Sequence, residues 1–206
     1  KSYFDLETDY GSFIRQIDEK DGYLTEAADL GQGIRILRQD LWEMIVSFLI
    51  SQQNNIPRIR RCIANICERY GERRQGSGGR VYYTFPGPEA LASAGEEELR
   101  DCNLGYRSRY VKKTAQMILD GQVSLEEVQK MDYPQAREEL QKLYGVGAKV
   151  ADCICLFALH QMEAFPVDTH IRQALEKHYP QGFPFERYKG CSGVMQQYIF
   201  YRELLQ

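Results

Sequence analysis

Apolar residues recur along this chain at helical spacing, three and four positions apart, almost from end to end. "DLWEMIVSFLI" (Asp40 to Ile50) predicts a helix behind an aspartate N-cap. After the polar stretch "SQQNN", "IPRIRRCIANICERYG" places Ile56, Ile59, Ile63, Ile66 and Cys67 on one face, with Gly71 as the C-terminal stop. "GPEALASA", "GEEELRDC", "SRYVKKTAQMILDG", "SLEEVQKM" and "YPQAREELQKLYG" predict further helices. "PVDTHIRQALEKHY" predicts another, with Asp168 as N-cap, and a last helix runs near Gly193 to Leu204. "RRQGSGGR" lacks any period and predicts an exposed loop within the domain. Strict alternation is scarce. Only the first ~35 residues ("YFDL", "GIRILR") hold a candidate strand or the edge of another domain. The expected architecture is mainly α.

One segment breaks the amphipathic rule. In "LYGVGAKVADCICLFAL" (Leu143 to Leu159), Gly145 and Gly147 make a tight turn, and the helix after it is apolar on nearly every side, hence expected to be buried. Lys149 falls in its first turn, where the backbone dipole already presents positive charge. Two helices joined by "GVG" form a helix-hairpin-helix pattern. Glycine amides at a helix N-terminus make an anion site that suits a DNA phosphate, though a plain αα-hairpin has the same pattern. A lysine near that positive end, if partly desolvated, has a lowered pKa and can act as an amine nucleophile toward a sugar C1′ or a carbonyl. The same lysine can instead snorkel to solvent as a point charge. Asp168 in "FPVDTH" caps a helix, and a capping carboxylate held ionised can also stabilise a sugar cation.

Bulk properties narrow the class. The chain has 206 residues, 43% hydrophobic and 27% charged, which is ordinary for a globular protein. No apolar run approaches the roughly 20 residues of a membrane span. The six cysteines show no zinc-site or disulfide spacing and read as reduced thiols, so an intracellular protein without metal or cofactor is expected. The net charge of −3 argues mildly against a nucleic-acid partner. Its distribution argues the other way, because "RIRR", "ERR" and "RSRYVKK" concentrate basic residues beside aromatic ones.

"GIRILRQDLWEMIVSFLISQQNNIPRI", "LGYRSRYV" and "GVGAKVADCICLFAL" followed by "FPVDTH" resemble, in order and spacing, the helix-hairpin-helix DNA glycosylase superfamily and, within it, the 8-oxoguanine DNA glycosylase family. The resemblance runs from about Ile34 to the C-terminus. No suitable cysteine cluster follows Asp168, which removes the iron–sulfur branch. It implies two helical lobes around a DNA-binding cleft, with residues 34–206 as the glycosylase domain and residues 1–33 as a remnant of an N-terminal β domain that is otherwise absent. On that reading, discrimination between 8-oxoguanine and guanine would be weakened. The implied activity is excision of 8-oxoguanine opposite cytosine from duplex DNA by a monomer, with AP lyase activity. The compartment would be the cytoplasm of a bacterium or the nucleus of a eukaryote.

The resemblance also implies roles residue by residue. Lys149 would be the Schiff-base nucleophile and Asp168 the stabiliser of the sugar cation. Cys153, one turn after Lys149, would pack on the flipped purine, which Gln196 and Phe200 would read and stack against. His170 would meet a phosphate, as would the amides of Gly145, Gly147 and Val150. Gln53, where the family usually has asparagine, and Asn54 would fill the vacated stack, with Tyr106 as a wedge. Arg58 and Arg107 would donate to the orphaned cytosine. The competing readings are a monofunctional alkylpurine glycosylase, which normally lacks an amine at position 149, and a non-catalytic DNA-binding fragment.

Overall fold

The computed structural model describes residues 1–205 and is mainly helical, in two compact units. One comprises Lys1–Gln39 together with Asp152–Gln206, and the other comprises Asp40–Ala151.

In the first unit, α1 (Tyr10–Ile14) and α2 (Gly22–Leu30) precede an extended run to Gln39. The candidate strand in this region is therefore not formed; "YFDL" lies in turns and "GIRILR" pairs with no strand. Its alternation serves a different purpose. Ile36 is buried, while Arg35 and Arg38 reach back to the turn that precedes α1. There Asp5 is 3% exposed and accepts from Thr8 Oγ1, Tyr10 OH and the Arg38 guanidinium. His160 Nε2 stands 3.1 Å from Asp5 Oδ2 and 3.2 Å from the Ile36 carbonyl. Both neighbours only accept, so the ring carries its proton on Nε2.

The second unit holds α3 (Leu41–Ser51), α4 (Ile56–Tyr70), α5 (Pro88–Ser93), α6 (Glu96–Leu99), α7 (Arg107–Leu119), α8 (Leu125–Val128) and α9 (Tyr133–Leu140). The expected caps are present. Asp40 accepts from the Glu43 amide at 2.9 Å, and the Gly71 amide closes α4 on the Cys67 carbonyl. Leu41, Ile45, Val46, Leu49 and Ile50 of α3 pack into the core of this unit, where Trp42 donates to the Pro86 carbonyl at 2.9 Å. The expected apolar face of α4 is only half realised. Cys62 and Ile66 are buried, whereas Ile56, at the open first turn, is 65% exposed.

"RRQGSGGR" forms the first strand and the turn of a hairpin rather than a plain loop, and the second strand follows it directly. Arg73–Gln75 (β1) and Val81–Tyr83 (β2) pair antiparallel, in the register Arg73↔Tyr83, Arg74↔Tyr82, Gln75↔Val81. Gly78 and Gly79, at φ 82° and 78°, supply the left-handed turn. The pairing escaped the hydrophobic pattern because every residue of both strands is exposed, so neither face alternates.

α10 (Ala148–Phe157) begins in the second unit and continues into the first. Val150, Ala151, Asp152, Cys153, Ile154, Cys155 and Leu156 are all buried, as its composition predicts. In the first unit it is followed by α11 (Thr169–His178) and α12 (Ser192–Leu204). A Cβ at Gly193 would stand 2.3 Å from the Ala164 carbonyl oxygen, so only glycine lets α12 start against that loop.

Candidate active site

The hairpin is built as its glycines suggest, each for a different reason. Gly145 has φ +89°, and a Cβ there would lie 2.8 Å from the Tyr110 ring and 3.3 Å from Leu49. Gly147 is exposed with nothing within 4 Å of a notional Cβ, so its backbone is open to an approaching group. Its carbonyl accepts from Ala151 at 2.9 Å, the first bond of α10. The amides of Ala148, Lys149 and Val150 precede any intrahelical acceptor. Val150 offers only its backbone, since its side chain is buried.

Lys149 is exposed in the first turn of α10. The partial desolvation expected for it is not provided by the chain itself. Its Nζ stands 5.9 Å from the Phe48 ring centroid, a contact on one side only. An exposed amine at a helix start is reachable; whatever seclusion it acquires must come from a molecule laid over it.

The α3–α4 loop is locked to this hairpin through a residue the pattern did not single out. Gln52 Nε2 donates to the Gly145 carbonyl at 3.0 Å, while its own carbonyl accepts from Tyr106 OH and from Arg107. Arg107 is 2% exposed, and its guanidinium donates to the carbonyls of Gln52, Gln53 and Leu104. Arg107, expected to meet a cytosine edge, is here engaged by the loop and holds it in place. What it holds is Gln53, exposed and at φ +47°, a left-handed conformation unfavourable for a glutamine. Asn54 donates to the Ile50 carbonyl and accepts from the Asn55 amide, so it shapes the turn rather than facing outward. Asn55 caps α4 through the Arg58 amide. Arg58 is exposed, its Nη2 3.5 Å from the Asn103 carbonyl. Tyr106 is 47% exposed and leads a run of edge-on rings, Tyr106–Tyr110–Tyr144, with Lys113 Nζ 4.4 Å from the last ring centroid. A basic and aromatic face is thus present beside the hairpin.

In the first unit, Asp168 Oδ1 accepts from the Ile171 amide at 2.9 Å, the cap that its position in the sequence predicts. Gln196 is 3% exposed, and its Nε2 donates to the Pro166 carbonyl at 3.0 Å, tying α12 to the loop that carries Asp168. Its Oε1 accepts from Gln197, so both ends of the amide are engaged within the chain. His170 is exposed, its ring edge-on to Phe200 with centroids 6.4 Å apart. Cys153 is buried in α10. The structure therefore gathers Lys149, Gly145, Gly147, Gln53, Tyr106 and Arg107 around the hairpin of one unit. Asp168, His170, Gln196 and Phe200 gather at the α11–α12 junction of the other. Among the described residues no cluster of His, Cys, Asp and Glu could hold a metal ion, and no helix is long and apolar enough to cross a membrane.

Known proteins resemble this chain in sequence and fold. Residues 46–182 match the HhH-GPD superfamily base excision DNA repair protein family, and residues 1–45 match the 8-oxoguanine DNA glycosylase N-terminal domain. The apo crystal structure of the Clostridium acetobutylicum 8-oxoguanine glycosylase/lyase is 40% identical, covering 97% of this chain and 73% of that one, with a TM-score of 0.89. The same enzyme with dsDNA containing cytosine opposite 8-oxoG aligns at 38% identity over 99% of this chain and 73% of that one, with a TM-score of 0.90. The N-glycosylase/DNA lyase of Saccharomyces cerevisiae is 38% identical over 159 residues, 72% of this chain and 42% of the yeast protein. The chain spans about half the length of the curated relatives it matches, 42% of the yeast protein and 62% of the Methanothermobacter one. It belongs to the HhH-GPD superfamily of base excision DNA repair proteins, on the branch of the 8-oxoguanine glycosylase/lyases.

Proposed function

We propose that this chain removes 8-oxoguanine opposite cytosine from duplex DNA through a lysine Schiff base and then cleaves the abasic strand by β-elimination. One observation carries the reading: a primary amine, exposed on the first turn of α10, directly follows an open glycine hairpin whose amides suit phosphate. In this reading the Lys149 amine attacks C1′ of an extruded nucleotide, and the base departs with the glycosidic electron pair. Ring opening gives the imine, loss of a C2′ proton follows, and the 3′-phosphate leaves. Asp168 faces the developing positive charge on the sugar. Gln53, presented by Arg107, fills the gap in the stack beside Tyr106, and Arg58 is the remaining guanidinium for the orphaned cytosine. Gly145, Gly147, Val150 and His170 hold phosphates, while Cys153, Gln196 and Phe200 line the base. Such an enzyme works as a monomer inside the cell, where its substrate is.

Borohydride trapping tests this directly. The intact chain should form a covalent adduct with abasic and 8-oxoG·C duplexes. Lys149→Gln should form none while keeping duplex affinity nearly unchanged. No adduct from the intact chain overturns the reading.

A further inference from the structure

The segment from Arg58 to Tyr83 carries seven arginines and two glutamates in a chain whose formal charge is −3. It is one continuous structure, α4 running into the β1–β2 ribbon. The join is fixed at Gly71, where a Cβ would stand 2.0 Å from the Thr84 carbonyl oxygen, and by the Thr84 amide donating to the Glu72 carbonyl at 3.0 Å. Arg69 and Arg74 are paired with carboxylates. Arg60, Arg61, Arg73 and Arg80 are exposed and have no ion-pair partner among the described residues.

The ribbon is not held by a core. Both strands are exposed throughout, with Val81 at 39%, Tyr82 at 51% and Tyr83 at 37%. An isolated two-stranded ribbon is marginal in water, and apolar rings left exposed on it are more stable when covered. The register sets Arg73 opposite Tyr83 and Arg74 opposite Tyr82, so each face presents a guanidinium beside a phenol. Between ribbon and helix lies an open groove of about 450 Å³, lined by Arg60, Cys67, Glu68, Tyr82 and Tyr83 among others, so that one carboxylate faces it beside the guanidinium. Unpaired guanidinium groups interleaved with amphipathic rings suit a polyanion whose sugars offer apolar surface between charges.

We propose that the β1–β2 ribbon and the adjoining face of α4 are a second, sequence-independent contact for the sugar–phosphate backbone of duplex DNA, away from the hairpin. This rests on the reading of the chain as a duplex-binding enzyme. The spacing is suitable: the fifteen residues of α4 span about 22 Å at roughly 1.5 Å per residue. From Arg58 to the end of α4 at Tyr70 is about 18 Å, roughly five base-pair steps at ~3.4 Å per step. Contacts to phosphate carry no base information, as an enzyme that must inspect every sequence requires.

The test uses the intact chain with Arg60, Arg73 and Arg80 all changed to alanine, measured on ~25-base-pair duplexes with and without 8-oxoguanine. Each lost phosphate contact lowers the slope of log K against log salt by about 0.9, so the slope should fall by about two to three. Affinity near 0.1 M salt should drop about tenfold, equally on damaged and undamaged DNA. Trapping at saturating DNA should match the unaltered chain, and the corresponding triple lysine variant should restore the slope. An unchanged slope with trapping intact overturns the ribbon contact and leaves the enzyme reading standing. Absence of binding and trapping in the unaltered chain overturns both.

Discussion

At the scale of single residues, two cations are the most informative. Lys149, for which partial seclusion and a side chain reaching solvent were both open, is exposed; Arg107, expected to donate to a cytosine, is buried. Spacing reveals which face a residue is on but not what stands beside it, and both outcomes depend on neighbours distant in sequence. Arg107→Met should destabilise the chain by about 3 kcal/mol in urea unfolding, since three carbonyls, one of them buried, lose their donors together. Arg107→Lys should recover only part, because an ammonium cannot reproduce the planar fork. Gly145→Ala meets both a left-handed backbone and the Tyr110 ring, and should cost about 2 kcal/mol or more, with weakened duplex binding. Gly147→Ala meets neither obstacle, so a loss of DNA affinity there without a loss of stability would report a ligand approaching the backbone.

At the scale of elements, helices with a strong period and a cap were legible: α3 behind Asp40, α4 up to Gly71, and α11 behind Asp168. The β1–β2 ribbon was not, because two exposed three-residue strands leave no hydrophobic alternation to detect. Gln52 was hidden for a related reason, since its hydrogen bond joins positions 93 apart in the chain. Asp168 illustrates how a cap and a chemical group can be separated. Asn caps as well as Asp, so Asp168→Asn should leave unfolding free energy within about 0.5 kcal/mol, while Asp168→Ala should cost about 1 kcal/mol. If the carboxylate charge serves the sugar cation, both variants lose base excision to a similar degree. Retained excision in the Asn variant would confine Asp168 to capping.

At the scale of the whole molecule, the polar cluster in the first unit contributes to acid stability, alongside His178, which burial also holds below its usual value. Burial pushes the His160 imidazole below its usual value, outweighing the attraction of Asp5. Burial would raise Asp5, but donation from Thr8, Tyr10 and Arg38 and the nearby His160 hold it below the ordinary carboxylate value of 3.8. For His160, the unfolded chain binds the proton more readily, so stability is full above the ordinary value of 6.5 and declines as pH falls through it. For Asp5, the stabilising contribution is present above 3.8 and is lost as pH falls further. Urea midpoints should therefore decline from pH 7.5 to 5.5. In His160→Asn, which tolerates the φ of +56°, that decline should flatten. Equal slopes in the two proteins would exclude His160 as a source.

The unit that contains this cluster is assembled from two stretches of chain, with residues 40–151 inserted between them. During synthesis the inserted unit leaves the ribosome whole and can acquire its structure at once. The opening stretch must wait for partners such as His160 and Tyr198, translated more than a hundred codons later. Until they emerge, the Asp5 carboxylate and Leu24 are without their native surroundings, so nascent chains of intermediate length carry core groups that are not yet covered.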